Sequence, residues 1–287
     1  MTATSLQMGE VVVNGVRSPV LVGGTGTPGE AVVFVHGNPD AGADWKPLME
    51  RVAEFATVVA PDMPGFGGAD KRSDQDYTLA GYAAHLAGVI NQLGLKRVHL
   101  VAHDFGGPFA IKWAATHPEM VASVTMINTG VLLDYRWHRL ARLWRTPVVG
   151  ELIQRATTLP VAHFVLRHDN PGLPEEWLQR IAGHAVPKGT KRAVLRLYRS
   201  TQSADMEALV APLRERDPDA LVVWGDADVY IPAEQAGRQR EIFPRVRIEM
   251  LPGVGHWAWL EQPDRVAEFV VPFLRDRVGQ TARNRTR

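Results

Sequence analysis

Val101-Ala102-His103-Asp104-Phe105-Gly106-Gly107 joins an apolar run, Val98–Val101 interrupted by His99, to the helical pattern Pro108-Phe109-Ala110-Ile111-Lys112-Trp113-Ala114-Ala115. The pattern predicts a strand, a tight turn and a helix. A residue at the apex of such a turn is held in a strained backbone conformation, its side chain exposed at the end of a sheet. Strand and helix approach closely there, so small residues are needed two before and two after the apex. Ala102 and Gly106 meet that need. The usual form of the turn is G-x-S-x-G. Here Asp104 stands at the centre and alanine takes the first small position. A carboxylate in that place points to a nucleophile that forms an ester. The bland alternative is a turn carrying an acidic helix cap.

The chain around this turn has 287 residues, room for one large α/β domain or two ordinary ones. Hydrophobic residues make up 45% and charged residues 22%, as in an ordinary globular protein. The net charge of +1 gives no reason to expect a nucleic-acid or membrane partner. There is no cysteine, which excludes disulfides, thiol catalysis and Cys-ligated metals. That fits a reducing compartment, and the expected location is cytoplasmic. Met1–Leu6 has no basic region followed by an apolar stretch, so no signal peptide is expected. No apolar run approaches the ~18–20 residues that a membrane helix needs.

Glu10–Gly15 and Ser18–Gly23 read as two short strands joined at Asn14-Gly15, followed by a glycine-rich loop. Ala31–Val35 is a continuous β-branched run, as expected of a strand buried on both faces. His36-Gly37-Asn38-Pro39-Asp40 breaks it, and Trp45–Phe55 has helical spacing with Asp44 as a plausible N-cap. Thr57–Ala60 is a further strand. Thr78–Leu93 is an amphipathic helix with Tyr82, Leu86, Val89, Ile90 and Leu93 on one face. Val121–Ile127 is the strand after the elbow. This alternation predicts a mostly parallel sheet with helices on both faces.

From 131 to 212 the pattern changes to helices and loops without a convincing strand. Leu133, Trp137, Leu140 and Trp144 fall on one helical stripe, and Arg136, Arg139, Arg142 and Arg145 beside it read as a solvated face. Glu175–His184 and Thr190–Ser203 are further helices. The segment 131–212 resembles a lid inserted into a core made of 1–130 and 213–287. The α/β pattern resumes with a strand at Ala220–Trp224, a helix at Ala233–Ile242, a strand at Val246–Leu251 and a helix at Pro263–Val278. The tail Thr281–Arg287 is basic and expected to fray.

Three loops after three strands each hold a reactive residue: Asp104, an acid at 226 or 228, and His256. Ligands bind at the carboxyl ends of strands in an open parallel sheet, so these residues can converge. The order nucleophile, acid, histidine resembles that of the α/β-hydrolase superfamily over nearly the full length of the chain. His36-Gly37-Asn38-Pro39 and His103-Asp104-Phe105-Gly106-Gly107 resemble the aspartate-nucleophile branch, the epoxide hydrolases and haloalkane dehalogenases. The resemblance implies an ester formed on Asp104 by displacement at an sp3 carbon, then hydrolysed by water that His256 deprotonates. It implies backbone N–H donors from Asn38 and Phe105 for the oxyanion, and no cofactor. It also places the acid three residues after the glycine that ends the strand, Gly225, hence Asp228. Asp226 is then a turn residue. His103, His36 and Asp62 read as structural, since neighbours on a strand end point opposite ways. No metal-ligand spacing is evident.

The two branches differ in how they treat the leaving group. Epoxide hydrolases typically present two lid tyrosines to the alkoxide. Leu197-Tyr198-Arg199-Ser200 resembles the motif carrying one; Tyr135 is the only other lid tyrosine and lies early for a match. Dehalogenases solvate halide with N–H donors, often a tryptophan directly after the nucleophile. Asn38 fits that pattern and Phe105 does not; Trp137 or Trp144 could substitute, although their stripe is more simply packing. The expected substrate is small and apolar or amphipathic, in contact with Tyr198, Tyr135, Trp137 and Trp257. The leading expectation is an epoxide hydrolase, followed by a haloalkane dehalogenase. A non-hydrolytic enzyme or a ligand-binding receptor on the same fold is the alternative from another class.

Overall fold

The computed structural model describes residues 5–280; the tail expected to fray lies outside the described residues. The chain opens with β1 (Gln7–Val13) and β2 (Val16–Gly23), a hairpin turned at Asn14 and Gly15, both at positive φ. Then come β3 (Glu30–Val35), α1 (Lys46–Val52), β4 (Val58–Pro61), α2 (Leu79–Gln92), β5 (Arg97–His103), α3 (Gly106–Thr116) and β6 (Val121–Ile127). Six helices follow: α4 (Arg139–Arg145), α5 (Val149–Ala156), α6 (Leu159–Asp169), α7 (Glu175–Ala185), α8 (Lys188–Ser200) and α9 (Ser203–Arg216). The chain ends with β7 (Asp219–Gly225), α10 (Glu234–Arg238), β8 (Arg247–Leu251), α11 (Ala258–Glu261) and α12 (Pro263–Arg275).

The eight strands form one sheet in the order β1-β2-β4-β3-β5-β6-β7-β8. β2 is antiparallel to β1 and β4, and every other pairing is parallel. Strand residues alternate between two cores, as a period of two requires. Val33, Val35, Leu100 and Ala102 face a layer containing α2 and α3. Val32, Phe34 and Val101 face α1, α11 and α12. From β3 the chain moves outward to β4, then crosses back to β5 on the other side. The carboxyl ends of β3 and β5 therefore border a topological switch point, where a crevice opens.

Several local expectations change. Asp44 does not cap α1. It sits in a short 3-10 turn, Gly42–Trp45, where its carboxylate accepts the Ala41 N–H (2.8 Å) and pairs with Arg180 and His184 of α7. Leu133, Trp137, Leu140 and Trp144 do not share a helix, because residues 131–138 run as an irregular segment before α4. Arg145 is not a solvated cation. It donates to the carbonyls of Tyr198 and Thr201 and lies over the Trp137 ring. Arg136, Arg139 and Arg142 are exposed as expected. No break falls at 212: α9 runs through it to Arg216, and its Met206, Leu209 and Leu213 join the core beside α3.

The elbow depends on close approach. A Cβ at Gly106 would stand 2.1 Å from the Val35 carbonyl oxygen, so α3 begins in direct contact with β3. Gly106→Ala must push the two elements apart and should cost at least about 1–3 kcal/mol. Urea denaturation monitored by far-UV circular dichroism measures the loss; an unchanged midpoint would refute the contact.

Candidate active site

Asp104 directly follows β5 with φ 48°, the left-handed region that aspartate tolerates better than most residues. Its carbonyl accepts the Gly107 N–H (2.9 Å) and the Thr129 hydroxyl (2.6 Å), which hold the turn. The loop after β3 supplies the other side. The Asn38 N–H donates to Asp104 Oδ2 at 2.8 Å, and the Phe105 N–H also stabilises the carboxylate. The two expected donors therefore converge on Asp104. Burial drives the Asp104 pKa upward, against His256, His103 and the two N–H groups, and the net shift is upward. A carboxylate poorly stabilised in this way keeps its electron pair available.

Asp228, in the loop after β7, places Oδ2 2.7 Å from His256 Nδ1. Its Oδ1 accepts the N–H groups of Tyr230 (2.8 Å) and Ile231 (3.0 Å). Burial favours its neutral form, but His256 and these donors outweigh burial and hold its pKa below the ordinary value. Asp226 instead accepts the Gly253 N–H (2.7 Å) and shapes the His256 loop. His256 is buried, which disfavours its charge. Asp228, then Asp104 and Asp40, overcome this and raise its pKa above 6.5. The bond to Asp228 takes the Nδ1 proton, leaving Nε2 as the basic nitrogen.

His103 lies beneath this pair. Nδ1 faces Asp40 Oδ2 (3.2 Å) and Nε2 faces the His256 carbonyl (3.0 Å). Both partners are acceptors, but burial, then the neighbouring His256, lowers the His103 pKa against the pull of Asp40, so the ring is neutral and donates to one of the two. Asp40 also accepts the Trp257 indole N–H (2.8 Å). Burial works against the Asp40 charge, yet His103 holds its pKa down to about 2. His36 accepts the Met63 N–H, and Asp62 accepts those of Gly42 and Gly68, so both are loop braces.

A cavity of ≈ 300 Å³ lies over Asp104 and His256, between the strand ends and the 131–212 segment. Tyr198, Tyr135, Trp137 and Trp257 all line it. Trp257 offers only its ring, since its N–H is committed to Asp40. The Tyr135 hydroxyl is likewise committed to the Tyr230 carbonyl (2.9 Å). Tyr198 Oη accepts from Asn38 Nδ2 (3.3 Å), which leaves the phenol proton unengaged. Burial, then the Asp104 charge, raises its pKa well above 10, so it stays a donor. The Phe105 ring stacks against Trp137 and meets Tyr198 edge-on, forming the apolar floor.

Three residues not singled out in the sequence belong to the site. Asn128, at the end of β6, donates to Asp228 Oδ2 (2.9 Å). Its place directly after a central parallel strand is the signal that could have found it. Tyr230 packs against His256 at 5.0 Å between ring centroids. His138 lines the cavity, and its Nδ1 accepts the Ala141 N–H as the N-cap of α4. Burial lowers its pKa to about 4, so the ring is neutral and carries its proton on Nε2. Nothing in the local sequence distinguishes His138 from a surface histidine.

With this geometry in hand, comparison with known proteins settles the family. The model of the alpha/beta hydrolase fold matches residues 30–263. The chain belongs to that family. A 2-hydroxy-6-oxononadienedioate/2-hydroxy-6-oxononatrienedioate hydrolase of Burkholderia vietnamiensis (strain G4 / LMG 22486) is similar to it, 28% identical over 286 residues, covering 92% of this chain and 94% of the relative. Epoxide hydrolase 2 of Caenorhabditis elegans is 24% identical over 267 residues, covering 86% of this chain and 74% of the relative. Haloalkane dehalogenase DatA from Agrobacterium tumefaciens C58 has a similar structure, with TM-score 0.80 and 21% identity, covering 94% of this chain and 97% of that one. That likeness establishes the hydrolase fold alone.

The Asp40–His103 pair of this α/β hydrolase makes a prediction for acid stability. A carboxyl whose pKa falls from 3.8 to about 2 on folding contributes stability above its unfolded value and loses it as pH drops through the folded one. Asp40→Asn should cost about 1–3 kcal/mol at neutral pH, because the amide offers one acceptor oxygen where the carboxylate serves both His103 Nδ1 and the Trp257 indole N–H. It should also flatten the decline in stability between these two pKa values, read by urea titration across pH. A variant with the acid limb of the wild type would exclude the pairing.

Proposed function

We propose that this α/β hydrolase opens epoxides to diols through an ester on Asp104. The observation that carries the reading is a carboxylate at the elbow with Oδ2 on the Asn38 N–H and a His256–Asp228 pair beside it. A carboxylate that attacks a carbonyl carbon yields an anhydride, whereas attack at an sp3 carbon yields an ester that water can cleave. The chemistry therefore favours displacement over the carbon–carbon hydrolysis suggested by the Burkholderia relative's name. The relative named epoxide hydrolase agrees with this choice.

In the proposed sequence, the free oxygen of Asp104 attacks an epoxide carbon and the ring oxygen leaves as an alkoxide. Tyr198 and the neutral His138 Nε2–H serve as its donors, the partner role not open to Tyr135 with its committed hydroxyl. His256 then takes a proton from water, and the resulting hydroxide attacks the ester carbonyl. Oδ2 becomes the oxyanion, received by the N–H groups of Asn38 and Phe105. Asp228 stabilises the imidazolium, which gives its proton to the diol oxygen as the tetrahedral centre collapses and the ester bond breaks; the regenerated Asp104 carboxyl loses the proton that restores the donor of the first alkoxide. The helices between β6 and β7 act as the lid that roofs the cavity.

One observation supports a haloalkane dehalogenase as the second reading. Trp144 lines the cavity, and its buried indole N–H has no hydrogen-bond partner among the described residues. With Asn38 Nδ2 it could solvate a departing halide. A panel of epoxides and haloalkanes, read separately for diol and free halide, separates the two. Diol without halide is expected. Halide release lost in Trp144→Phe would establish the second reading instead.

His256→Gln should stop the reaction at the ester. Intact-protein mass spectrometry should then show the variant's own mass plus one substrate, and Asp104→Asn should show no adduct. A His256→Gln protein that gains no mass with a turned-over substrate would exclude the ester. Tyr198→Phe should lower the rate of ester formation by roughly 10²–10⁴-fold, the usual contribution of a positioned acid. Ester hydrolysis needs neutral His256. That step should be lost as pH falls and His256 is protonated, and regained on the alkaline side; the ester removes the Asp104 charge that helps to raise the His256 pKa, so the midpoint should lie lower than that of His256 in the free enzyme. Single-turnover rates across pH, set beside a direct titration of His256 in the free enzyme, check the direction; an ester-hydrolysis midpoint above that of the free enzyme would contradict it.

A further inference from the structure

Eleven large apolar side chains are exposed among the described residues, and seven of them fall between Leu143 and Phe164. They are Leu143 in α4, Val148 between α4 and α5, Val149 and Leu152 in α5, and Leu159, Val161 and Phe164 in α6. Phe164 is 71% exposed, Val148 68% and Leu152 61%. Such a concentration is not the scatter of single apolar residues found on any surface. Val148 has φ 68° and ψ −50°, a γ-turn closed by the Val149 N–H on the Pro147 carbonyl (2.8 Å). A β-branched residue in that conformation is a genuine outlier, and here it projects an isopropyl group into solvent.

Charge singles out the same region. Residues 131–200 carry twelve Lys and Arg against five Asp and Glu, in a chain whose net charge is only +1. The expectation of no membrane partner came from that chain-wide value, which conceals the asymmetry. Arg139, Arg142 and Arg155 are exposed and meet no carboxylate among the described residues. Arg142 adjoins Leu143, and Arg155 lies three residues after Leu152, on the same face of α5. Glu151, the acid within this helix, is neutralised by Arg199. The other side of α5 and α6 faces inward, where Ile153 and Val165 line the cavity. Ala156 and Val161 both line it and are exposed, so the α5–α6 junction forms part of its mouth.

We propose that α4–α6 dock on the surface of an anionic phospholipid bilayer, with Val148, Leu152 and Phe164 inserted among the acyl chains. Arg139, Arg142 and Arg155 meet the headgroup phosphates. Apolar side chains flanked by unpaired arginines are what an interfacial segment needs. No helix among the described residues is long and apolar enough to cross a membrane, so the contact is peripheral. A two-fold contact with a second copy would bring two sets of these unpaired arginines onto one interface, whereas anionic lipid neutralises them. Docking also sets the cavity mouth against the apolar phase, where an apolar substrate of the proposed reaction dissolves. That last consequence rests on the proposed function; the docking itself does not.

Flotation of the full chain with phosphatidylcholine vesicles, with and without phosphatidylglycerol, tests the proposal. The wild type should float with the anionic vesicles and remain behind with the neutral ones, and added salt should release it. Arg142→Gln and Arg155→Gln should each lower partitioning roughly fivefold. Val148→Asp and Phe164→Asp should abolish it while hydrolysis of a water-soluble substrate without vesicles is unchanged. Both side chains are exposed and lie outside the cavity lining, and thermal melts confirm that the variants fold. Asp104→Asn should float like the wild type, so failure of the catalytic reading leaves this result intact. Absence of flotation, or flotation indifferent to these substitutions, would overturn the proposal. So would light scattering that shows a wild-type dimer which Phe164→Asp converts to monomer.

Discussion

Asp104 is held in a left-handed backbone conformation because three chain segments close on it. Gly106 starts α3 against the Val35 carbonyl, Thr129 binds the Asp104 carbonyl, and Gly37 brings the loop after β3 to the carboxylate. A side chain on Gly37 would stand 2.5 Å from Asp104 Oδ2, so even the opposing loop is pared to its backbone. Strain of this kind persists only where the surroundings over-determine it. Its result is a carboxylate lifted off the sheet, with one oxygen on a backbone N–H and the cavity above.

The rest of the site manages charge in a volume that excludes water. Asp228 and His256 form one pair, Asp40 and His103 another, and the His103 ring reaches the His256 carbonyl. The second pair therefore braces the backbone that carries the first. It also compensates a buried aspartate without using either group that faces the cavity. Above the carboxylates, the walls are aromatic, and the donors that remain open are neutral: Tyr198, His138 and the Trp144 indole. Neutral donors suit charge that develops during a reaction, since they do not hold an anion permanently in the resting site.

The parts of the fold that were legible in the chain were those governed by local rules. Ala31–Val35 and Val121–Ile127 are β-branched runs, α2 has a clean apolar face starting at Thr78, and Asn14-Gly15 is a hairpin signal. Each states its structure within a few residues. Asp44 misled because its real partners, Arg180 and His184, are far away in sequence, while a cap needs only the next turn. The stripe from Leu133 to Trp144 misled because helical spacing also arises when an irregular segment packs apolar side chains against a cavity. Arg145 looked solvated because its acceptors are two carbonyls more than fifty residues away, at Tyr198 and Thr201.

By itself, the sequence determined the class of fold, the elbow, and the order in which a carboxylate, an acid and a histidine follow three of the parallel strands, β5, β7 and β8. Those features are periodic or local, and parallel-sheet topology carries strand ends to one edge whatever lies between them. Only the tertiary structure decided which protons and charges are left unengaged. Asp226 and Asp228 differ by two positions, yet one holds a loop and the other holds His256. Tyr135 and Tyr198 are both phenols that line the cavity, yet a backbone carbonyl occupies the first alone. Burial made His138 neutral, and a helix N-terminus that claimed Nδ1 left its proton on Nε2. Hydrogen-bond partners come from segments distant in sequence, and a group's chemistry depends on which of its bonds are already taken.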